Sequence, residues 1–257
     1  MNIFLNDTFQ LLIRHIRATL RLPIWIAVTL IQPVIWITIF GQLFQRVVDI
    51  PGFENTSYIA FLTPGVVIMT AMFGAAWSGM GLIEDLNQGV IDRMLSTPVK
   101  RGALIAARVI HASITVIVQS IIIIGLGMIL GAKIPGGLPG IIGVLIVSVL
   151  IAAGFSSIST GIALLTRREE TMIAVINFFG LPITFLSASF MSNSLMPNWM
   201  QKIAIFNPVN WAVNAARSSM AGNDFSILLS NSLLLILFTI IAGVFAYQSF
   251  AIQQKRN

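Results

Sequence analysis

Hydrophobic positions in this chain do not alternate with polar ones; they run. Six windows contain no Asp, Glu, Lys or Arg: Leu22–Gln45 (24 residues), Asn55–Ile83 (29), Val109–Ala132 (24), Ile134–Thr166 (33), Thr171–Gln201 (31) and Phe225–Gln254 (30). A helix crosses a bilayer with roughly 20 apolar residues, so each window holds one crossing and none holds two. Runs such as Ile121–Ile124 lack the alternation of a membrane barrel strand. Lys202–Asp224 is half polar and too interrupted to span. The pattern predicts an all-α integral membrane protein with six transmembrane helices. They fall near 22–44, 58–82, 109–131, 140–165, 171–191 and 226–251 of a single domain, 1–257.

The segment before the first window has helical periodicity. Leu5, Phe9, Leu12, Ile16 and Leu20 share one stripe, while Asp7, Gln10, Arg14, Arg17 and Arg21 share the opposite one. That division predicts an amphipathic helix lying in the membrane interface. Gly127 and Gly131 form a GxxxG pair, and Ala153, Ser157 and Gly161 repeat small residues at the same spacing. Such stripes allow close helix approach in lipid. Pro23, Pro33, Pro64 and Pro182 are candidate kinks.

Composition sharpens the class. Of 257 residues 56% are hydrophobic and 9% are charged, with a mean hydropathy of +0.91. A soluble domain carries roughly 25% charged residues, so a soluble surface cannot be built from this chain. The formal charge is +6. Eleven of the 15 basic residues fall in the N-terminal segment, the loops after the second and fourth windows, and the tail; four fall on the other side. The positive-inside rule then puts both termini in the cytoplasm. The N-terminus lacks the pattern of a cleavable signal.

Candidate chemistry is mostly absent. There is no Cys and there are only two histidines, His15 and His111. A metal site is therefore not expected, and His111 reads as a satisfied interfacial histidine. Ala76-Trp77-Ser78-Gly79 approaches the nucleophile pattern of an intramembrane serine protease. That chemistry needs a histidine base on a late span, and the last three windows contain none. None of the four lysines follows Gly or precedes Ser or Thr, so no P-loop for ATP exists. No Asp or Glu lies well inside a window, which counts against an ion-coupled carrier or channel working alone. A transporter-like body without a visible energy source points to a partner that supplies it.

The loop Ile83–Arg108 is the most informative stretch. Ile83, Leu86, Val90 and Met94 recur at helical spacing, predicting an amphipathic cytoplasmic helix ended near Pro98. Such a helix either docks into a groove on a soluble partner or lies on the lipid surface, and its chemistry fits both.

The order Glu84, Gly89, Leu95, Pro98, Lys100, Arg101 resembles the cytoplasmic loop of type-2 ABC exporter permeases. Asn207-Pro208, Trp211, Ala215, Ala216, Arg217 and Gly222 resemble the segment before the last span of the same family. Phe61-Leu62-Thr63-Pro64-Gly65 and Glu84-Asp85-Leu86 look most like its daunorubicin-resistance-like drug-exporter branch; polysaccharide and teichoic-acid permeases share the fold.

The resemblance implies a permease that is not itself an enzyme, in a plasma (inner) membrane and of prokaryotic type. It would pair with a second copy or a homologue and with two ATP-binding subunits, which hold the ATP and Mg. Glu84, Asp85, Leu86, Gly89, Met94, Leu95, Pro98, Lys100 and Arg101 would form the ATPase-coupling helix. Arg167, Arg168, Glu169 and Glu170 would form a second cytoplasmic contact or a plain solvated turn. Short re-entrant outer helices would carry an outer gate at Asn207, Pro208, Trp211 and Arg217.

Export of hydrophobic or amphipathic compounds by alternating access is the implied function; export of a polysaccharide, teichoic acid or lipid-linked glycan is the alternative. Eleven Met and 17 Phe supply adaptable apolar surface. Gln32, Gln119, Asn177 and Thr184 are the polar span positions taken as candidates for lining a pathway.

Overall fold

A computed structural model describes residues 3–21, 23–49, 57–95 and 100–254. The described residues are helical with no strand. In order they form α1 (Ile3–Leu20), α2 (Pro23–Ile35), α3 (Gly41–Leu43), α4 (Tyr58–Ala76), α5 (Met80–Asn87), α6 (Val90–Leu95), α7 (Arg101–Ile129), α8 (Gly137–Thr166), α9 (Glu169–Phe185), α10 (Asn198–Ala204), α11 (Pro208–Ala221) and α12 (Phe225–Gln254). Among the described residues four stretches are long and apolar enough to cross a membrane: Tyr58–Asn87, Gly102–Ile129, Gly137–Thr166 and Phe225–Ile252. The first expected crossing corresponds to a shorter apolar helix, Val28–Leu43, and the fifth falls on the 17-residue α9.

The stretch with α2 and α3 is joined by a π turn at Trp36–Phe40, just after Pro33. Pro33 has no N–H for the preceding turn, and a register change beyond it absorbs the break. α9 stops six residues short of the expected 191. Pro182 lies in its last turn, and carbonyls at its end, those of Ile183 and Leu186, are taken by the side chain of Asn207, the residue that precedes α11, instead of by more helix.

α4 is the central helix, with 78% of its span window buried, whereas α12 is peripheral at 11%. Apolar burial gives no drive between helices in lipid, so the contacts rest on shape and hydrogen bonds. Phe238 and Phe245 of α12 sit over Gly154 and Gly161 of α8, seven residues apart on both helices. Thr239 Oγ1 adds a bond to Leu150 O across the same contact (3.0 Å). Gly127 faces Thr63, where a Cβ would come within 2.6 Å of Oγ1. Its expected partner Gly131 has φ +96° and lies just past the end of α7 rather than in a packing stripe.

Candidate functional sites at the two ends of α4

The helix of α4 runs on through a tight turn, Trp77–Gly79, into α5. Those 30 residues span about 45 Å at 1.5 Å per residue. The turn is stapled to α8. Ser159 Oγ donates to Ala76 O and accepts from Gly79 N (3.0 Å), and Ser78 Oγ meets Ser156 Oγ at 2.9 Å. Ser78 thus bonds another serine and no imidazole.

The predicted single amphipathic helix is two. α5 ends at Asn87, and Gly89, with φ +66°, turns the chain into α6. A residue with a Cβ rarely adopts that conformation, and no atom stands within 4 Å of where one would be. Glu84, Asn87, Gln88 and Arg93 are exposed around this corner, with Leu86, Gly89 and Met94 half-buried. Leu95 closes α6, Lys100 is exposed ahead of α7, Arg101 opens α7, and Pro98 lies outside the described residues, as do Lys255 and Arg256.

Asp85 does not share that exposed face. It is 8% exposed and accepts from Arg14 Nη2 of α1 (2.5 Å) and Arg108 Nη2 of α7 (2.7 Å). Helical spacing turns every third or fourth residue of α5 inward, and Asp85 is on the Leu82 side. Arg108 is 7% exposed. The charge-free window began one residue later, but α7 begins at Arg101, so the guanidinium is two turns inside the helix.

α1 has two apolar faces. Leu5, Phe9 and Leu20 are exposed as expected of an interfacial ridge. Phe4, Thr8, Leu11, His15 and Thr19 form a second stripe against α7. There Phe4 lies over Gly102, Leu11 shares a buried apolar cluster with Ala103 and Ala107, and Thr19 Oγ1 meets His111 Nε2 at 2.8 Å. Arg14, expected on the polar side, is drawn inward by Asp85. The His15 and His111 rings lie 5.7 Å apart. Burial, together with the positive Arg108, lowers His15 from the ordinary 6.5 to about 4.

Arg167, Arg168, Glu169 and Glu170 are exposed between α8 and α9. Arg167 ends α8 in the left-handed region (φ 54°), and the two glutamates sit in the first turn of α9, where the helix dipole favours them.

The other end of α4 meets α11. Asn207 caps α11 by accepting from Val209 N (2.9 Å), with Pro208 in the first turn. Its Nδ2 also donates to Ile183 O (2.6 Å) and Leu186 O (2.9 Å) at the end of α9. Trp211 Nε1 donates to Ile205 O (2.6 Å). Arg217, counted from sequence as an outer-loop charge, is enclosed. Its Nη2 donates to Ala188 O (2.8 Å) and Phe61 O (3.3 Å), and Cζ sits 3.7 Å over the Phe61 ring.

The sequence reading missed Asn210, whose Oδ1 accepts from Ala188 N (2.9 Å) and whose Nδ2 donates to Ala204 O (3.1 Å). The signal was available: Asn207, Asn210, Asn214 and Arg217 recur at helical spacing.

The four candidate pathway residues lie on three helices, α2, α7 and α9. Gln32 and Asn177 are exposed on α2 and α9. Gln119 is buried, joining α7 to α2 through Thr29 (3.0 Å). Thr184 bonds its own helix at Gly180 O (2.8 Å).

Apolar membrane-length helices, a partly polar short-helix end and an internally anchored polar corner define a multi-pass membrane protein. The chain belongs to the ABC-2 type transporter family, whose profile matches residues 6–221. It is similar to a putative transport permease, ycf38, of Cyanophora paradoxa, 30% identical over 216 residues covering 83% of this chain and 74% of that one. The daunorubicin resistance ABC transporter permease protein DrrB1 of Streptomyces coeruleorubidus is 26% identical over 219 residues, 84% of this chain and 76% of that one. The inner membrane transport permease YadH of Escherichia coli K12 is 26% identical over 223 residues, 83% of each. The chain is thus an ABC transporter permease subunit, a non-catalytic transport component whose ATPase is a separate partner.

Proposed function

We propose that the chain is the membrane half of an ATP-driven exporter for hydrophobic or amphipathic compounds. It works as a pair of permeases with two ATP-binding subunits, which carry the ATP and Mg. In this reading six helices cross a prokaryotic inner membrane, with α2–α3 and α9 completing the count and both termini in the cytoplasm. The α5–α6 corner meets the ATPase, with Arg167–Glu170 beside it, and α10–α11 close the outer end around Asn207, Pro208, Trp211 and Arg217.

The observation that carries the reading is the corner itself. Exposed Glu84, Gln88 and Arg93 stand on a short element fastened through Asp85 to α1 and α7. A docking element needs a polar surface for its partner and a stiff link to the body it moves. The exposed Leu5, Phe9 and Leu20 of α1 fit the same membrane face. The drug-resistance relative supports apolar or amphipathic cargo.

The test is co-purification with the cognate ATPase and reconstitution into liposomes. Glu84→Lys together with Arg93→Glu is expected to abolish binding of the ATPase while leaving the melting temperature of the permease unchanged. Retention of the full complex and of ATP-dependent export would refute the docking assignment.

A further inference from the structure

The outer end holds a feature that the coupling reading does not use. Between α9 and α10 the chain from Leu186 to Ser192 has no regular helix. It is held by side chains from one stripe of α11. Asn207 bonds Ile183 O and Leu186 O, Asn210 takes Ala188 N, and Arg217 takes Ala188 O. Asn214 Oδ1 accepts from Asn193 Nδ2 (3.3 Å). On its other side the segment is seated on α4 at Gly65, where any Cβ would overlap the carbonyl of Ser189.

We propose that this stripe is a latch. Asn207, Asn210 and Arg217 are positioning residues that hold Leu186–Ser192 across the end of the bundle, and the complex exports only when the segment lifts off α11. The proposal rests on the transport reading above, which makes this the exit side. Three observations carry it.

First, Leu186 N and Ser187 N bond back to Pro182 O (2.8 Å) and Thr184 O (3.3 Å), and beyond them the segment is fixed by side chains, those of the α11 stripe and Tyr58 of α4, which donates to Phe190 O (3.2 Å). Ser187, Ala188 and Ser189 are buried at this end of the bundle, and releasing them breaks side-chain bonds rather than a run of helix. Second, the joint is incompletely satisfied. Arg217 Nε and Asn193 Oδ1 are buried without partners, and Arg217 has no carboxylate partner among the described residues; its charge rests on carbonyl oxygens and a ring. A polar network with orphan members holds less firmly than a closed one. Third, the contacts sit at one end of α4, whose far end continues into α5. Movement of the docking corner therefore reaches the seat of the latch through one continuous helical stretch.

The chain has no cysteine, so Ala188→Cys with Asn210→Cys makes a unique pair across the latch. The complex with its ATPase is reconstituted in liposomes, and export of a fluorescent amphiphile and ATP hydrolysis are measured oxidised and reduced. Oxidation should cut export at least tenfold with the complex intact, and reductant should restore it. Asn210→Ala, which loosens the same joint, should raise substrate-independent ATP hydrolysis severalfold.

Equal export by the oxidised pair, with the disulfide verified by mass, overturns the latch and leaves the transport reading standing. So does failure of the pair to cross-link, or an Asn210→Ala chain that is less stable but unchanged in basal hydrolysis. No export by the unmodified complex overturns the transport reading and the latch with it.

Discussion

Removing the Asp85 carboxylate should unbalance the coupling end in a way that separates its two arginines. Arg108 is the buried partner: its side chain is 9% exposed, against 12% for Asp85, and the two meet at 2.7 Å. Arg14 makes the shorter contact, 2.5 Å, but its side chain is 40% exposed. Deleting one member of a buried pair leaves the other charge without compensation, at about 3–5 kcal/mol. A partner that can turn to solvent loses about 0–1 kcal/mol. Asp85→Ala should therefore destabilise by about 3–5 kcal/mol, nearly all through Arg108. Arg14→Met should stay below about 1 kcal/mol despite its shorter bond. Asp85→Leu with Arg108→Met removes both buried charges and should recover most of the loss, leaving a coupling of at least about 2 kcal/mol in the cycle. The assay is equilibrium unfolding in mixed micelles, followed by tryptophan fluorescence. If Arg14→Met costs as much as Asp85→Ala, or if the double variant equals the sum of the singles, burial is not what sets the energies here.

Gly65→Ala should cost about 1–3 kcal/mol, because the new methyl meets the main chain of Ser189, which cannot swing aside as a side chain would. Gly125→Ala, with open space around it, should be neutral or stabilising by up to about 1 kcal/mol; thermal melts of the two compare space with helix propensity. Gly89→Ala should lose about 1–2 kcal/mol from backbone conformation alone, and Gly89→Asn less, since nothing crowds the site and only φ +66° is at stake. Hydrogen exchange at α5–α6 reads that difference.

His15 gives a pH dependence of known sign. The unfolded chain takes its proton near 6.5 while the folded chain resists until about 4, so its contribution is whole above 6.5 and is lost as pH falls through that window. Arg108, His111, Asp85 and Arg14 are the ionisable groups around it. His15→Gln should flatten melting temperature against pH between 6.5 and 4, and an unchanged slope would assign the dependence to another group.

Much of this was legible one residue at a time. Apolar runs without charge mark helices, because a backbone in lipid must bond to itself. α8 and α12 accordingly fall within a few residues of their expected bounds. Asn207-Pro208 announced a helix start, and it is one. The polar stripe Asn207, Asn210, Asn214 and Arg217 is also legible as a helical period.

Charge scarcity, pattern and length thus determined the class, the helices and the families of residues at each end. Tertiary structure decided which charges are inside. Whether Asp85 faces a partner or the bundle depends on Arg14, 71 positions earlier, and Arg108, 23 later, arriving at the same point. It also decided that Arg217 is a clamp on Ala188 rather than a loop charge. The physical reason is the same in each case. A helical period fixes which residues share a face, but what that face meets is set by helices far away in sequence, and a buried charge is tolerable only where those helices bring it a partner.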